Sequence, residues 1–539
     1  MNKEPKNISK KTWTTKILFV FACLITLVAL FYAEEDLRGK YEWDKCKAGL
    51  EAKGEKINFD DFIPAPVPDD QNFAMSPVWI ARIKYNFLLS DKAVNGSQMA
   101  EAWYGDRVND DDVAKFSDLM PLSASALTGT NWSLQKSTPD FPVRWTSGRT
   151  FDLRPWQSYY RNLEETNPAA QINITPQPQT PAADVLLALS KFDPAIEQLR
   201  QDSQRPYSRF PVQYDTDDTA DILLPHLFAV KQCAQVLELR ALAELQAGQK
   251  DKACDDVKLM LRLNDSIQTE PFIITHLVRM AIIQMTIQCI YEGLSEHQWS
   301  DAQLADLDSE LSKINYPANY QFSILSESAG HAKILKWIEQ KRSHGGEYLG
   351  LLNSYNGLPK STARLIGIAF YLAPEGWFYQ SDILFSERDR AWSSVAAGDT
   401  QLTISPEGVR QAKNTVKVVL GHGSRFNVIG QLLFSADFSS YAQRTAFAQA
   451  SVDLTRTAIA LERYFLANGE FPASLDVLAP KYIQEIPADI INGEPLHYRL
   501  TSDGQFVLYS VGWNERDDGG IPFAGSTDRG DWVWRYPTK

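Results

Sequence analysis

The chain has 539 residues, of which 44% are hydrophobic and 11% aromatic, and its formal net charge is −13 at pH 7. This length suits about two to four domains, and the apolar content supports real hydrophobic cores, which excludes a disordered chain. The acidic balance, with no long basic run outside the amino-terminal tail, argues against a protein that follows nucleic-acid phosphates.

The first predicted element is a membrane-spanning helix at residues 17–33, a run of seventeen residues without a charge. At about 1.5 Å per residue, a helix of this length is near the lower limit for crossing a bilayer. Lys10 and Lys16 lie before the run, and Glu34 follows it. The positive flank predicts a single-pass protein of the cell membrane in which residues 1–16 are a cytoplasmic tail and the bulk of the chain is extracytoplasmic.

Two other interpretations of this segment stay open. A cleaved signal peptide needs a small residue at position −3, but a cut after Ala33 places Phe31 there and a cut after Ala29 places Leu27 there. A lipoprotein would use Cys23, which is followed by ten more, mostly apolar residues. An uncleaved anchor therefore fits the residues best.

Residues 34–77 are predicted to form a stalk and a proline-rich spacer. The charged residues 36–56 can continue the membrane helix as a polar stalk. The following stretch, FIPAPVPDDQNFAMSP, contains four prolines, each of which fixes φ and removes a backbone donor. It is predicted to be a stiff, extended spacer or, because Phe62, Phe73 and Met75 favour docking, an arm that lies along the domain.

Residues 78–180 form an irregular mixed region in which arginines and aromatic residues alternate. The predicted ligand surface comprises Arg149, Arg154, Trp156, Tyr159 and Arg161. Guanidinium groups hold anions and stack on aromatic faces, and aromatic rings can stack on sugars. The same residues are equally typical of a mixed core, so both interpretations stand. The surface is the only support for an envelope hydrolase that acts on glycan or peptide.

Residues 181–440 are predicted to form an α-helical domain. Apolar residues recur at three- and four-residue steps from Leu227 to Leu245, Gly248 interrupts the run, and a second stripe begins at Ala253. This hairpin resembles a tetratricopeptide unit. Because no repeat of about 34 residues follows, the prediction is an irregular helical array.

Two short features of this domain leave alternatives open. The stretch LIGIAFYLA, residues 365–373, is too short to span a membrane and fits core better than a re-entrant or interfacial piece. Glu327 and His331 are four residues apart, and a surface pair on one helical face accounts for them most simply.

Residues 441–539 are predicted to form a small α+β module. A helical stripe from Phe447 to Phe465 ends at Asn468-Gly469, and the strands LHYRL and QFVLYSV flank TSDG, which is the pattern of a β-hairpin. Together with LERYFLANGEFPASLDVLAPKYI, IPADIINGEPLHYRL and GQFVLYSVGWNERDDGG, these features make residues 442–520 resemble the soluble half of type II secretion pseudopilins.

This resemblance has one large departure and one implication. In pseudopilins the membrane helix carries a processing motif and runs directly into this helix, whereas here the anchor lies far upstream and lacks the motif. A borrowed module is therefore the better interpretation. The resemblance also implies a calcium loop built from Asn514, Asp517 and Asp518, although such residues are ordinary in turns. No other cofactor is predicted.

The whole arrangement resembles large membrane-anchored envelope proteins of bacteria, through the phrases FIPAPVPDDQNFAMSP, RPYSRFP, LRALAELQAGQ and SEHQWSDAQL. This resemblance implies no particular activity, and no HExxH, GxSxG or phosphate-loop motif recommends an enzyme. We therefore predict an exported helical scaffold or protein-binding body that contacts the membrane and other envelope proteins, and not nucleic acid. The alternatives are an accessory component of a type II secretion or pilus-like system, and the hydrolase.

Overall fold

A computed structural model shows a mainly helical protein that begins with an apolar helix. It describes residues 10–88, 103–105, 111, 116, 145–166, 172, 174–216, 219, 222–341, 368, 370–398, 402–422, 437–522 and 529–536. The helices, in chain order, are α1 Lys10–Glu51, α2 Pro77–Leu88, α3 Arg154–Thr166, α4 Pro181–Leu189, α5 Asp193–Asp202, α6 Pro225–Gln246, α7 Lys250–Asp265, α8 Ile273–Ser295, α9 Asp301–Leu311, α10 Tyr316–Lys341, α11 Glu375–Ser393, α12 Pro406–His422 and α13 Ser439–Asn468.

Two of the described helices are long and apolar enough to cross a membrane. In α1, the most apolar window has a mean hydropathy of 2.4 and none of it is buried within the protein. In α8 the corresponding value is 1.5, but 61% of the window is buried, so α8 is a core helix. The helix α1 also continues without a break through the charged residues after the apolar run, as far as Glu51.

The centre of the body is built from α6, α7 and α8. The turn between α6 and α7 uses Gly248 at φ +73°, a conformation that glycine adopts without strain, and α8 packs against both helices. The sequence predicted one apolar stripe on α6, but the structure also buries polar side chains of this helix, among them Gln232, Glu238 and Glu244. The helix is therefore enclosed on several sides.

Residues 57–76, which include most of the proline-rich segment, form an arm that lies along the body. Its residues form short 3₁₀ turns, and Phe59, Phe62 and Phe73 are buried. The side chain of Asn72 accepts a hydrogen bond from the backbone N–H of Arg209 and donates one to its carbonyl oxygen, each at 2.9 Å. The arm is thus fixed by both packing and polar contacts.

The tail combines α13 with a sheet of three antiparallel strands. A short separate pair of strands comes first in the chain, β1 Ala396–Ala397 with β2 Thr403–Ile404. The tail strands are β3 His497–Leu500, β4 Phe506–Ser510 and β5 Trp532–Arg535; β4 is central, with His497 opposite Tyr509 and Ser510 opposite Trp532. Helix α13 ends at Asn468, and Gly469 follows at φ +79°. Both β4 and β5 pack against α13.

The tail is not separate from the helical centre, because α13 also packs against α8, α9 and α10. Polar contacts cross this boundary as well: they join Gln284 to Ser451 at 3.0 Å, Arg456 to Asp308 at 2.8 Å and Arg463 to Asp301 at 2.7 Å. The two predicted regions therefore form one packed unit.

A further contact between the helical centre and α13 involves a histidine and depends on pH. His297 Nδ1 lies 2.8 Å from the buried carboxylate of Glu462, and this hydrogen bond raises the pKa of His297, although burial opposes the change. A raised histidine pKa contributes stability that is complete below the unfolded value of about 6.5 and is lost as pH rises through the folded value.

We expect His297→Asn to lower the melting temperature more at about pH 5 than at about pH 9. Asparagine tolerates the positive φ of 51° at this position. Because the His297 side chain is 34% exposed, the pH-dependent part of the loss should be at most about 1 kcal/mol. Equal losses at both pH values would show that the contact is not an ion pair.

Candidate binding cavity beside helix α1

A cavity of about 560 Å³ lies beside the part of α1 that follows the apolar run. Its walls come from four segments that are far apart in the sequence: α1, the arm, α10 and α11. Trp43 and Lys47 belong to α1, and Trp43 lies about 15 Å beyond Ala33 along the helix axis. The size is typical of sites that hold a small ligand or a few side chains of a partner.

The wall between α1 and α11 depends on two glycines. A Cβ atom on Gly39 would meet the backbone of Gly376, and a Cβ on Gly376 would meet the backbone of Glu35 and Asp36. The two helices run in the same direction, since Asp36 contacts the start of α11 and Glu55 pairs with Arg390 near its end. Close backbone contact therefore fixes α11 against α1.

The acidic residues after the apolar run cap the amino terminus of α11. The N–H of Gly376 donates to Asp36 Oδ1 at 2.9 Å, and Trp377 Nε1 donates to Glu35 Oε2 at 3.1 Å. Glu35 is buried and also pairs with Arg38 at 2.7 Å. Carboxylates are favourable at this end of a helix because its free N–H groups and its dipole are positive there.

Phe59 and Lys333 form the floor of the cavity where the arm meets α10. The Lys333 ammonium group lies 5.6 Å from the centre of the Phe59 ring and 3.5 Å from Asp60 Oδ1. With Lys47 and Lys336, it gives the cavity three cationic side chains, which the acidic residues Asp60, Glu339 and Asp382 of the same lining balance, and the rings of Trp43 and Trp337 lie among them. Such a lining suits a ligand with both flat apolar faces and hydrogen-bonding groups.

Asp382 brings a carboxyl group with an unused oxygen to the cavity. Its Oδ1 atom is buried, and none of the described groups hydrogen-bonds to it. Burial, and then the nearby charge of Glu339, raise the pKa of Asp382 well above its usual range. A neutral Asp382 can donate a hydrogen bond to a ligand, which an ionised carboxylate cannot do.

Phe59 also lines a second cavity, of about 260 Å³, which contains Glu327 and His331. These two residues therefore face a cavity and do not form the open surface pair that their spacing predicted. Burial raises the pKa of Glu327. Behind them, Arg388 donates to both carboxylate oxygens of Asp389 at 2.7 and 3.0 Å.

In the part of the second cavity that the structure describes, a serine hydroxyl is turned toward backbone carbonyl groups. The Ser326 hydroxyl, which also lines it, lies 2.9 Å from the carbonyl oxygens of Pro271 and Ser323 and directs its proton to them. Asp389 Oδ2 is 3.9 Å from His331 Nδ1. Burial opposes ionisation of Asp389, but His331 and Arg388 outweigh it, and the pKa of Asp389 lies below its usual range. This arrangement joins α10 to α11.

No family model, curated protein or solved structure matches this chain. The resemblances to pseudopilins and to bacterial envelope proteins therefore stay predictions.

The structure shows contact between two members of the predicted ligand surface, since the ring centres of Trp156 and Tyr159 are 5.7 Å apart. Trp156 is buried, and Arg154 pairs with Asp152 at 2.7 Å. Arg161 pairs with the buried Asp184 at 2.7 Å and donates to backbone carbonyls of the linker before α4. Arg149 is exposed and Tyr159 packs against the core. The described part of this stretch thus packs its aromatic rings against the core and leaves Arg149 and Arg154 exposed, and most of residues 78–144 lie outside the described residues.

The predicted calcium loop is held by its own hydrogen bonds. Asn514 Nδ2 donates to Asp518 Oδ2 at 2.7 Å, and Asp517 Oδ1 accepts from Tyr509 and from the N–H of Gly519. The organising residue is Asp531, whose carboxylate accepts the backbone N–H groups of residues 518, 520 and 521. Among the described residues, no group of three His, Cys, Asp or Glu side chains is placed to hold a metal ion.

The sequence patterns did not indicate the residues that line the larger cavity, the main cavity beside α1. Trp43 and Lys47 lie in a charged stretch that predicts only a stalk, and Glu339 and Asp382 lie in helices without a motif. One usable signal was the tryptophan at position 43, because a large aromatic residue in a polar helix needs a surface to cover it.

Proposed function

We propose that this chain is a single-pass membrane-anchored protein of the cell envelope whose helical body binds a partner protein. The observation that carries this proposal is the cavity itself, which is shared between the anchor helix and the body. A segment of a partner that enters this cavity contacts both elements at once, so binding is coupled to the membrane surface.

The rigid connection between anchor and body supports a scaffolding role. A flexible tether would place the body at many heights above the bilayer. Here α1 continues as one helix, packs through Gly39 on α11 and caps it with Asp36. The cavity is therefore held at a fixed height and orientation, which favours capture of partners that are also in or near the membrane.

The chemistry of the cavity indicates the kind of segment that fits. The lining supplies both ammonium and carboxyl groups for hydrogen bonds, while tryptophan rings supply flat apolar faces. A partner segment that combines an aromatic or aliphatic side chain with hydrogen-bonding groups satisfies both.

The test is affinity purification of the full-length tagged protein from detergent-solubilised membranes. Ala332→Trp fills the cavity, and Ala302→Trp places the same side chain on the exposed face of α9 as a matched control. We expect the wild type and the control to recover the same partner in stoichiometric amounts and Ala332→Trp to lose it. Recovery of the partner by all three proteins, or of no partner by any, contradicts the proposal.

A second candidate, an accessory component of a type II secretion or pilus-like system, is favoured by the order of elements in the tail. A long helix followed by an antiparallel sheet is the order that the predicted resemblance to pseudopilins implies. Because α13 is enclosed by α8, α9 and α10, the tail acts within the body in this case. Deletion of the gene would then impair secretion or surface filaments, and unchanged secretion would remove this candidate.

The hydrolase alternative stays a prediction. Its support is the arginine and aromatic stretch, in which Trp156 is buried and Arg154 and Arg161 are paired within the protein, whereas Arg149 is exposed. The main cavity lies elsewhere, between α1, the arm, α10 and α11.

A further inference from the structure

A short apolar segment before α11 is exposed next to the anchor. Ile368, Tyr371 and Leu372 are 57%, 59% and 56% exposed. Phe370 and Ala373 in the same segment are buried, and they pack in a cluster with residues of α10 and α11. The segment therefore has one side that faces the body and one apolar side that faces outward.

The position of this segment is fixed by contacts to α1. The Tyr32 hydroxyl donates to the carbonyl oxygen of Leu372. Four residues further along both segments, the carboxylate of Asp36 accepts a hydrogen bond from the N–H of Gly376. Tyr32 is the penultimate residue of the uncharged run. Because α1 and α11 run in the same direction, the exposed side chains before α11 lie level with the end of the apolar run.

The composition of the segment also favours an apolar environment. No charged residue occurs between Leu365 and Pro374, whereas Glu375 begins α11 directly afterwards. Three neighbouring side chains of this size, each more than half exposed, are unusual on a surface that faces water. Tyrosine is enriched at the membrane interface, where its ring is apolar and its hydroxyl is solvated.

We propose that Ile368, Tyr371 and Leu372 insert into the interfacial region of the lipid leaflet on the side of the body. This proposal rests on the anchor being in a membrane, as proposed above. The segment forms a second membrane contact beside α1, and two contacts fix the tilt of the body relative to the bilayer. Lipid is the expected occupant because the exposed apolar surface of this segment adjoins the apolar surface of the anchor at Tyr32.

Spin labels in lipid nanodiscs test this placement. Three full-length proteins each carry one accessible cysteine: the native Cys23 in the anchor, Leu372→Cys, and Val477→Cys on the body as a matched exposed apolar site. Cys46 is replaced by serine in all three, and Cys23 by alanine in the last two. The collision rates of each label with lipid-soluble oxygen and with a water-soluble nickel complex are then measured.

We expect the ratio of oxygen to nickel collisions at Leu372 to be well above that at Val477 and to approach that at Cys23. A ratio at Leu372 equal to that at Val477 places the segment in water and overturns the proposal. A label at Leu372 that is shielded from both reagents indicates a cover of protein and overturns it as well. If the label at Cys23 also collides with nickel, the anchor itself is not in the bilayer, and the proposed function fails first.

Discussion

Gly376→Ala and Gly39→Ala should each destabilise the protein and loosen α1 from α11, although alanine is the better helix former. The added methyl group at either position meets backbone atoms of the other helix. Backbone cannot move aside as a flexible side chain can, so the helices have to separate. Overpacking of this kind costs about 1–3 kcal/mol and is occasionally more severe.

Separation of these helices has consequences beyond the contact. The N–H of Gly376 loses its bond to Asp36, and the buried Glu35 loses the Trp377 indole. Removing a partner from a buried charged group leaves a desolvation cost of about 1–3 kcal/mol or more. Because α1 and α11 are two walls of the cavity, we expect partner recovery to fall in the same variants.

Gly49→Ala is the matched control for this prediction. Gly49 lies on the same helix, and a Cβ atom there would meet nothing within 4 Å. Helix propensity alone should therefore stabilise that variant by up to about 1 kcal/mol. Thermal melts in detergent, read by tryptophan fluorescence, compare the three variants. A melting temperature that rises in all of them would show that the close contact of α1 and α11 is absent.

Glu238→Met should stabilise the protein strongly at high pH and hardly at all at low pH. Glu238 lies on α6, is 2% exposed, and its Oε2 atom has no hydrogen-bond partner among the described residues. Burial raises the pKa of Glu238 from 4.5 to about 8. Methionine has a similar length and no charge to desolvate, and it adapts to irregular core spaces.

The sign of the pH dependence follows from this raised pKa. Below about pH 4.5, folded and unfolded chains both hold the proton, and Glu238 contributes no pH-dependent penalty. Between about pH 4.5 and pH 8 only the unfolded chain releases it, so stability falls as pH rises, and above about pH 8 the loss is complete. The pKa difference corresponds to about 5 kcal/mol, which is the expected upper size of the gain in Glu238→Met.

Unfolding of the wild type and of Glu238→Met across this pH range measures the effect. The exposed Glu310 on α9 provides the control, since Glu310→Gln removes a carboxylate that is already in water. We expect the difference between Glu238→Met and the wild type to widen steadily from acid to alkaline pH, while Glu310→Gln stays level. If the free energies of unfolding of Glu238→Met and the wild type differ by the same amount at every pH, the Glu238 carboxyl group is solvated in the folded protein.

The anchor and its contact with α11 differ in how far the sequence predicts them. The apolar helix at residues 17–33 was predictable because an uncharged terminal run of this length with lysines before it is typical of a membrane span. The acidic residues behind it were also visible, but their partner, the amino terminus of α11, lies 340 residues away in the sequence. Nothing local in either segment indicates the other, so neither the contact nor the cavity could be predicted.

Periodicity was informative about helices and uninformative about what surrounds them. The stripe from Leu227 to Leu245 indicated α6, yet a stripe implies one buried face, and Glu238 lies outside it. Glu327 and His331 had the spacing of a solvated pair, but the fold places Phe59 of the arm beside both and Asp389 of α11 beside His331. Burial of a polar residue is set by the elements that pack on it from elsewhere in the chain.

The distance between α1 and α11 in lipid nanodiscs shows whether the anchor and the body are one rigid unit, on which both proposals depend. Spin labels at Leu37, which is 72% exposed on α1, and at the exposed Glu387 on α11 report it by pulsed electron resonance, with Cys23 and Cys46 replaced. We predict one narrow distance distribution that broadens in Gly376→Ala. A broad distribution in the otherwise unchanged protein would show a body that moves freely on its anchor, and the rigid unit would then have to be abandoned.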